Sequence, residues 1–290
     1  MKAAEFDYER PASLADAVAI LAAKGADAKI IAGGQTLVPL MAMRLARPAL
    51  LVDINRIAEL QGISREGAFV AIRACTRQAD ALAHASVRAD APLLAKALAF
   101  VGHGQTRNRG TVGGSLANAD PAAEIGLAAL ALDAEVEARS AKGTRTIALR
   151  EFFKGAMETA IHPEECLVAV RFPVWPGRVG AGFHEVSVRA SDFAFLAVAA
   201  QVELDAGGQC RRAALSIGGA AMMPRRIGAA EARLAGTRLE ASDIAQAAGL
   251  AAAALDGADD AHGSARYRRR VAMVLAERAL AEARDEALSR

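Results

Sequence analysis

Apolar positions recur at helical spacing in the first clear segment, PASLADAVAILAAKG (residues 11–25), where Ala17, Val18, Leu21 and Ala22 share one face. Ser13 stands as its N-cap with Asp16 at the third helical position, and Gly25 follows the last turn. The pattern then switches. AKIIAGG (28–34) is a short apolar, β-branched run that ends on the diglycine Gly33-Gly34. TLVPLMAMRLA (36–46) predicts a helix or helical turn broken or started at Pro39, and ALLVDI (49–54) a second buried strand. A strand–helix–strand unit of this kind predicts a small parallel sheet.

Further along, GAFVAIRA (67–74) predicts a strand, Thr76 caps a helix running to Ala85, and DAPLLAKALAFVG (90–102) predicts another helix with Pro92 near its start. The stretch GQTRNRGTVGGSLAN (104–118) is rich in Gly, Asn and Arg and predicts no regular element. Asp120 then reads as an N-cap, with Pro121 at the first helical position ahead of an apolar face. AEVEARS (134–140) and RTIAL (145–149) pair as strands around Lys142-Gly143, and CLVAVRFPVWPG (166–177) is a strand ended by two prolines. Two prolines and two glycines between Pro173 and Gly180 mark a domain boundary. Beyond it GFHEVSVR, FAFLAVAAQVELD and RAALSIGGA alternate as antiparallel strands, with DAGGQ (205–209) as a hairpin turn. From Ile227 the pattern is nearly all helical, with Ser242 as candidate cap of a segment to Ala254 and Ser264 as cap of a last helix, Ala265 to Leu288. The class is α+β: an N-terminal domain over 1–176, in two parts of about 1–57 and 58–176, and a C-terminal domain over 177–290 with antiparallel strands and a helical bundle.

Composition narrows the function classes. At 290 residues the chain exceeds one minimal domain and fits two. Hydrophobic residues are 53% and aromatics only 4%, which favours close helix packing over aromatic-lined pockets. A net charge of +2 offers no electrostatic case for a nucleic-acid partner. No apolar run approaches the ~18 residues of a membrane span, and the start, MKAAEFDYERP, has no apolar signal-peptide core, so a cytoplasmic protein is expected. Cys75, Cys166 and Cys210 are far apart and form no CxxC, so free thiols are expected and no metal ligand set.

A second diglycine, Gly113-Gly114 in RGTVGGSLAN, repeats the arrangement of the first: an apolar residue before, a polar residue after, then an apolar segment. Glycine permits positive φ and close backbone approach. Successive free N–H groups in such a turn form an anion nest, and a helix that follows adds partial positive charge. Thr36, Thr111 and Ser115 can donate hydroxyl hydrogen bonds to phosphate oxygens. Two such loops could grip one pyrophosphate from both sides, although either alone is more often a plain turn. Neither fits GxGxxG or GxxxxGK[ST], and GHGQTR at Gly102 lacks both a third glycine and a preceding strand.

IIAGGQTLVPLMAMRLARPALLVDI, TRNRGTVGGSLANADPAAE and LAALALDAEVE resemble the medium, FAD-binding subunit of molybdenum hydroxylases. That is the family of the carbon monoxide dehydrogenase medium subunit and of the xanthine dehydrogenase FAD domain. The resemblance continues, in order, through EFFKGAMETAIHPEECLVAVRFP, GFHEVSVRASDFAFLAVAA, LSIGGAAMMPRR and YRRRVAMVLAERAL. It implies a two-part FAD domain followed by a domain of antiparallel strands and helices. It also implies that Ala32, Gly33, Gly34, Gln35 and Thr36, with Thr111, Val112, Gly113, Gly114 and Ser115, hold the FAD pyrophosphate. Neighbouring family positions fall on Ile30, Ile31, Leu37, Val101, Asn118, Glu124, Leu167 and His184, as contacts to the adenosine, ribityl or ring parts. Two positions depart from the family pattern: Thr106 replaces the usual isoleucine before RNRG, and Ser191 replaces the common glycine before DFA. The second reshapes the loop expected near the flavin ring.

The resemblance further implies a large subunit with a molybdopterin cofactor and a small subunit with two [2Fe–2S] clusters, together a dimer of heterotrimers. Substrate would be oxidised on the large subunit, and FAD would pass the electrons to an external acceptor; neither substrate nor acceptor is written in this chain. No nucleophile–base pair or acid pair stands out, as suits a chain whose chemistry belongs to a cofactor. A free-standing FAD oxidoreductase and a non-catalytic nucleotide-binding module are the alternatives. Arg107 and Arg109 are either structurally paired or brace the second loop or meet a partner subunit. Glu124 is either a first-turn acid or an FAD contact. His84, His103, His162, His184 and His262 have no triad-like or metal-like spacing. Asp192 holds a turn or lies near the flavin, and the basic run Arg266, Arg268 to Arg270 is a solvated face or a partner contact. A bulky β-branched residue at Gly33 or Gly114 is expected to abolish FAD retention while leaving the fold largely intact.

Overall fold

A computed structural model describes residues 2–255, 259 and 263–290; His262 lies outside the described residues. The chain opens with β1 (Asp7–Glu9), α1 (Leu14–Lys24), β2 (Ala28–Ile31), α2 (Leu37–Ala42) and β3 (Leu50–Asp53). Ser13 caps α1 by accepting from Asp16 N, and Gly25 closes it with φ 54°. The strands form an all-parallel sheet in the order β1-β3-β2. The expected strand–helix–strand unit is present, joined by β1, whose exposed three residues give no apolar signal.

The next layer contains β4 (Ile63–Glu66), β5 (Phe69–Arg73), α3 (Gln78–Ala83), α4 (Ala85–Asp90) and α5 (Pro92–Phe100), then α6 (Gly104–Arg109), α7 (Val112–Asn118) and α8 (Glu124–Ala131). After these come β6 (Glu135–Ser140), β7 (Gly143–Ala148), α9 (Leu149–Phe152), β8 (Phe153–Gly155), β9 (Glu158–Thr159) and β10 (Cys166–Pro173). β10 runs through the middle of an antiparallel five-stranded sheet, β4-β5-β10-β6-β7. It is buried over most of its length, as its near-continuous apolar run requires.

Three local expectations are corrected here. Thr76 caps nothing: its hydroxyl donates to Gly62 O (2.9 Å) and accepts from Gly62 N (3.1 Å), and the helix breaks at His84 into α3 and α4. The stretch 104–118 is regular after all, forming α6 and α7. Their poor intrinsic propensity is overridden by tertiary support, since Arg107 Nη1 donates to Val101 O (2.8 Å) and Gly102 O (2.7 Å), and Thr111 caps α7. Pro121 starts no helix. Asp120 Oδ1 accepts from Ala122 N (2.9 Å), closing a turn on its own backbone, and α8 begins at Glu124.

The C-terminal part has β11 (Arg178–Ser187), β12 (Ala194–Leu204), β13 (Cys210–Gly218) and β14 (Arg225–Arg226) in one antiparallel sheet in that order. It ends in α10 (Gly228–Leu234), α11 (Ala241–Ala253) and α12 (Ala265–Ser289). Ser264 caps α12 as expected, but Ser242 lies inside α11, whose cap is a Glu240–Asp243 capping box. One face of the sheet receives α12 at very close range: a Cβ on Gly180 or Gly182 would collide with Ala283 O or Ala279 O. The opposite face, with Val179, Ala181 and Phe183, joins Ile125, Leu127 and Ala128 of α8 and Val70, Ile72 and Val170 of the central sheet in one continuous core. The seam is further tied by Ser216 Oγ donating to Leu127 O (3.0 Å) and Gly219 N donating to Pro121 O (2.9 Å).

Candidate FAD pyrophosphate site

At the carboxyl ends of β2 and β3 lies an open cleft of about 510 Å³, lined by Ile31, Ala32, Gly33, Gly34, Gln35 and Val38 on one side and Tyr8, Asp53, Asn55 and Arg109 around the rest. Strand carboxyl ends in parallel units are where such folds bind ligands. Gly34 adopts φ 72°, which turns the chain from β2 into α2. Among the described residues, no acceptor meets the backbone N–H groups of Gly33, Gly34, Gln35 or Thr36. Four successive unsatisfied amides beside a cleft require an acceptor from outside the fold, and a phosphate oxygen has the right charge. Arg109, an exposed residue of the same cleft, has no carboxylate partner among the described residues.

The second diglycine faces the first. Ala32 Cβ lies 3.8 Å from the Cβ position of Gly114, and a Cβ on Gly33 would sit 2.5 Å from Arg109 O and 2.8 Å from Gly110 Cα. The two segments thus meet as jaws. They are not equivalent, which corrects the symmetric nest read from the sequence. Gly113 and Gly114 belong to the first turn of α7, and their amides are already spent: Val112 N donates to Thr76 O (3.1 Å), Gly113 N to Ala74 O (3.0 Å), Gly114 N to Thr111 Oγ1 (3.1 Å) and Ser115 N to Thr111 O (3.1 Å). What this jaw can still offer is side chain: the Ser115 hydroxyl and the remaining proton of the Thr111 hydroxyl.

The expectation that Gly33 and Gly114 could be enlarged without harm to the fold is also corrected. A Cβ on Gly114 would lie 2.6 Å from the capping Thr111 Oγ1, and one on Gly113 2.7 Å from Ala74 Cα. These glycines serve jaw packing before they serve any ligand.

The remaining expected positions scatter. Ile30 packs on the small core beneath the parallel sheet, Thr36 is the N-cap of α2 without a side-chain bond of its own, and Leu37 is that helix's first residue. Val101 and Leu167 are buried in the central core, and Asn118 Nδ2 turns to Met157 Sδ (3.7 Å). Glu124 begins α8 at the seam with the C-terminal sheet, where burial pushes its carboxyl up to about 7, with Asp120 adding to the rise and Arg107 opposing it. His184 faces the other way: strand alternation puts it with Gly180 and Gly182, and its Nε2 meets Glu282 Oε2 of α12 at 2.9 Å. Its neighbour Glu185 takes the inner face, where burial and the nearby Glu124 push it up to about 8 and one carboxyl oxygen, Oε2, has no partner among the described residues.

Several residues at the cleft escaped the sequence reading. Tyr8 Oη donates to Asp53 Oδ2, and Asp53 Oδ1 accepts from Asn55 N (2.9 Å) and Asn55 Nδ2 (2.7 Å). Burial raises the Asp53 carboxyl, but these hydrogen bonds outweigh it and hold the group below the usual carboxylate range. Asn55 Nδ2 also donates to Ala32 O (2.7 Å), at the root of the unsatisfied turn. An acid at the end of a parallel strand is the signal that could have flagged Asp53; Asn55 carries none. Cys75, Cys166 and Cys210 are buried free thiols, pushed up to about 12, 12 and 11 mainly by burial, and are inert at neutral pH.

The chain matches the FAD binding domain in molybdopterin dehydrogenase over residues 4–175 and the CO dehydrogenase flavoprotein C-terminal domain over residues 181–283. It is 44% identical to the 6-hydroxypseudooxynicotine dehydrogenase complex subunit alpha of Paenarthrobacter nicotinovorans, over 98% of this chain and 96% of that one. It is 37% identical to the carbon monoxide dehydrogenase medium chain of Afipia carboxidovorans, over 97% and 98% of the two chains. A solved Cu,Mo-CO dehydrogenase superposes with a TM-score of 0.95 at 36% identity, covering 99% of this chain and 100% of the other. Quinoline 2-oxidoreductase from Pseudomonas putida 86 superposes with a TM-score of 0.94 at 35% identity over the same shares. With its two matched regions spanning nearly the whole length, the chain belongs to the family of FAD-binding medium subunits of molybdenum hydroxylases.

Proposed function

We propose that this chain holds the FAD pyrophosphate between its two jaws and serves as the electron-transfer flavoprotein subunit of a three-part molybdenum hydroxylase. The observation that carries this reading is the run of four amides from Gly33 to Thr36 that meet no acceptor among the described residues, in a cleft that Arg109 also lines. The first jaw supplies backbone donors and the second supplies Thr111 and Ser115 hydroxyls, a donor set that fits two linked phosphates. Ile31 and Leu37 flank the grip; Asn118, Glu124 and Leu167 remain positions that the family pattern alone suggests for contacts to the rest of the cofactor. FAD, once held, supplies reversible two-electron storage; the protein supplies binding, orientation and surroundings.

In the complex, a large subunit with molybdopterin would oxidise substrate. A small subunit with two [2Fe–2S] clusters would deliver the electrons to this chain, and an external acceptor would remove them. We assign the FAD-binding region to 1–176, in parts 1–57 and 58–176, and the C-terminal domain to 177–290. The relatives named above are a 6-hydroxypseudooxynicotine dehydrogenase subunit and a carbon monoxide dehydrogenase chain; substrate choice would belong to the large subunit, not to this chain. The test is direct: the purified chain, reconstituted with FAD, should be yellow, bind one FAD per chain and bleach with dithionite. A chain that stays colourless after reconstitution refutes the reading. Affinity capture of this chain from its native cells should bring down two partners containing molybdenum and iron.

A further inference from the structure

The two jaws are separate in sequence by roughly the length of β3 to α6, yet one side chain spans them. Arg77, on the turn before α3, is half-buried and sends its two terminal nitrogens in different directions. Nη1 donates to Arg109 O (2.5 Å), the same carbonyl that faces Gly33 across the jaw contact. Nη2 donates to Asn55 Oδ1 (2.9 Å). Asn55 in turn donates through Nδ2 to Ala32 O (2.7 Å), the carbonyl immediately before the unsatisfied amides. Its own orientation is fixed from below by Asp53 Oδ1, and its carbonyl accepts from Gln61 Nε2 (2.8 Å). A planar guanidinium with divergent donors is suited to hold two backbone carbonyl-bearing segments at a fixed separation, and a lysine ammonium is not.

We propose that Arg77, acting through Asn55, is the positioning residue that sets the spacing of the two phosphate-binding jaws and thereby the affinity of the chain for FAD. The inference rests on the proposed function. It adds that binding depends on a residue that contributes no atom to the ligand and that lies outside both diglycine motifs. Without the relay, Ala32 O and Arg109 O lose their shared anchor. The amides of residues 33–36 then sample orientations in which they no longer converge, and ordering them is charged against ligand binding. Arg109, whose backbone carbonyl is the other end of the relay, is released at the same time.

The experiment titrates FAD into the flavin-stripped full-length chain, reading quenching of flavin fluorescence, for wild type, Arg77→Met, Arg77→Lys, Asn55→Ala and the double variant Arg77→Met/Asn55→Ala. Thermal midpoints are recorded without flavin. Arg77→Met should weaken FAD binding about 10- to 100-fold, the span that follows from losing a charge-assisted hydrogen bond. Arg77→Lys should fall between wild type and Arg77→Met, because an ammonium can reach one carbonyl but not both acceptors. The double variant should bind no more weakly than the poorer single variant by more than about threefold, since both break one relay. Additive losses would overturn the relay, as would wild-type affinity in Arg77→Met, whatever its thermal midpoint. A wild-type chain that binds no FAD overturns the proposed function and the relay with it; a wild type that binds tightly beside an unaffected Arg77→Met overturns the relay alone.

Discussion

Replacing Gly33 by alanine adds one methyl group between two segments already in contact. That carbon would sit 2.5 Å from Arg109 O and 2.8 Å from Gly110 Cα, where ordinary carbon contacts run at about 3.5–4.0 Å. Both neighbours are backbone, so no rotamer change relieves the overlap, and one jaw must retreat by about 1 Å. Overpacking of this kind costs about 1–3 kcal/mol in stability. The larger effect is on binding. The retreat moves the amides of residues 33–36 away from Arg109 and from the Thr111 and Ser115 hydroxyls, so one phosphate can no longer reach all of them. Loss of one or two hydrogen bonds to a charged group, at about 1.5–3 kcal/mol each, corresponds to a drop in FAD affinity of about 100-fold. Fluorescence titration of the flavin-stripped chain measures it, with urea midpoints taken without flavin to separate folding from binding. Gly104→Ala is the control: it has ordinary φ and no atom within 4 Å of the added carbon, and should leave both readouts unchanged. A Gly33→Ala chain that binds FAD within about threefold of wild type would refute the jaw geometry.

Other outcomes follow from the same physics. Ser191 sits at φ 65°, so Ser191→Gly should stabilise the chain by about 0.5–1 kcal/mol, read as a raised thermal midpoint. Thr111→Val removes the acceptor for Gly114 N and should cost about 1 kcal/mol of stability in urea denaturation, with weaker FAD binding besides. Glu124 and Glu185 are held up to about 7 and about 8, above their unfolded values, so the folded chain binds the extra protons. Their contribution is fully present below about pH 4.3 and is lost as pH rises through about 7 and 8. Thermal midpoints should therefore fall from pH 5 to pH 8.5 by an amount that Glu185→Gln reduces; an identical slope in that variant would count against the buried pair.

How far the sequence carries depended on what kind of signal each element needed. Helix α1 was legible because Ser13, Asp16 and Gly25 mark its ends locally, and α12 because Ser264 does the same. β10 and the β11–β13 sheet were legible from long apolar or alternating runs. The helices α6 and α7 were not: their residues are poor helix formers, and what holds them is Arg107 reaching back to Val101 O and Gly102 O and Thr111 capping Gly114 N. The same gap hid the asymmetry of the jaws, since two diglycines look alike in sequence while only hydrogen-bond partners show that one set of amides is spent. His184 and Glu185 show the cost of a one-residue step on a strand. Gly182 and His184 share the α12 face, so the inward acid is Glu185, and the alternation of GFHEVSV already contained that distinction. Arg77 and Asn55 had no motif to announce them, because their role is defined by two carbonyls brought together only in the folded chain.

The central claim is that the free amides of residues 33–36, and not those of 112–115, grip the FAD pyrophosphate. Residue-resolved amide hydrogen exchange of the full chain, with and without FAD, tests it most directly. Gly33, Gly34, Gln35 and Thr36, which meet no acceptor among the described residues, should exchange fast without FAD and become strongly protected with it. Gly113, Gly114 and Ser115, already bonded within the protein, should change far less. Unchanged exchange at residues 33–36 in a chain saturated with FAD would contradict the account.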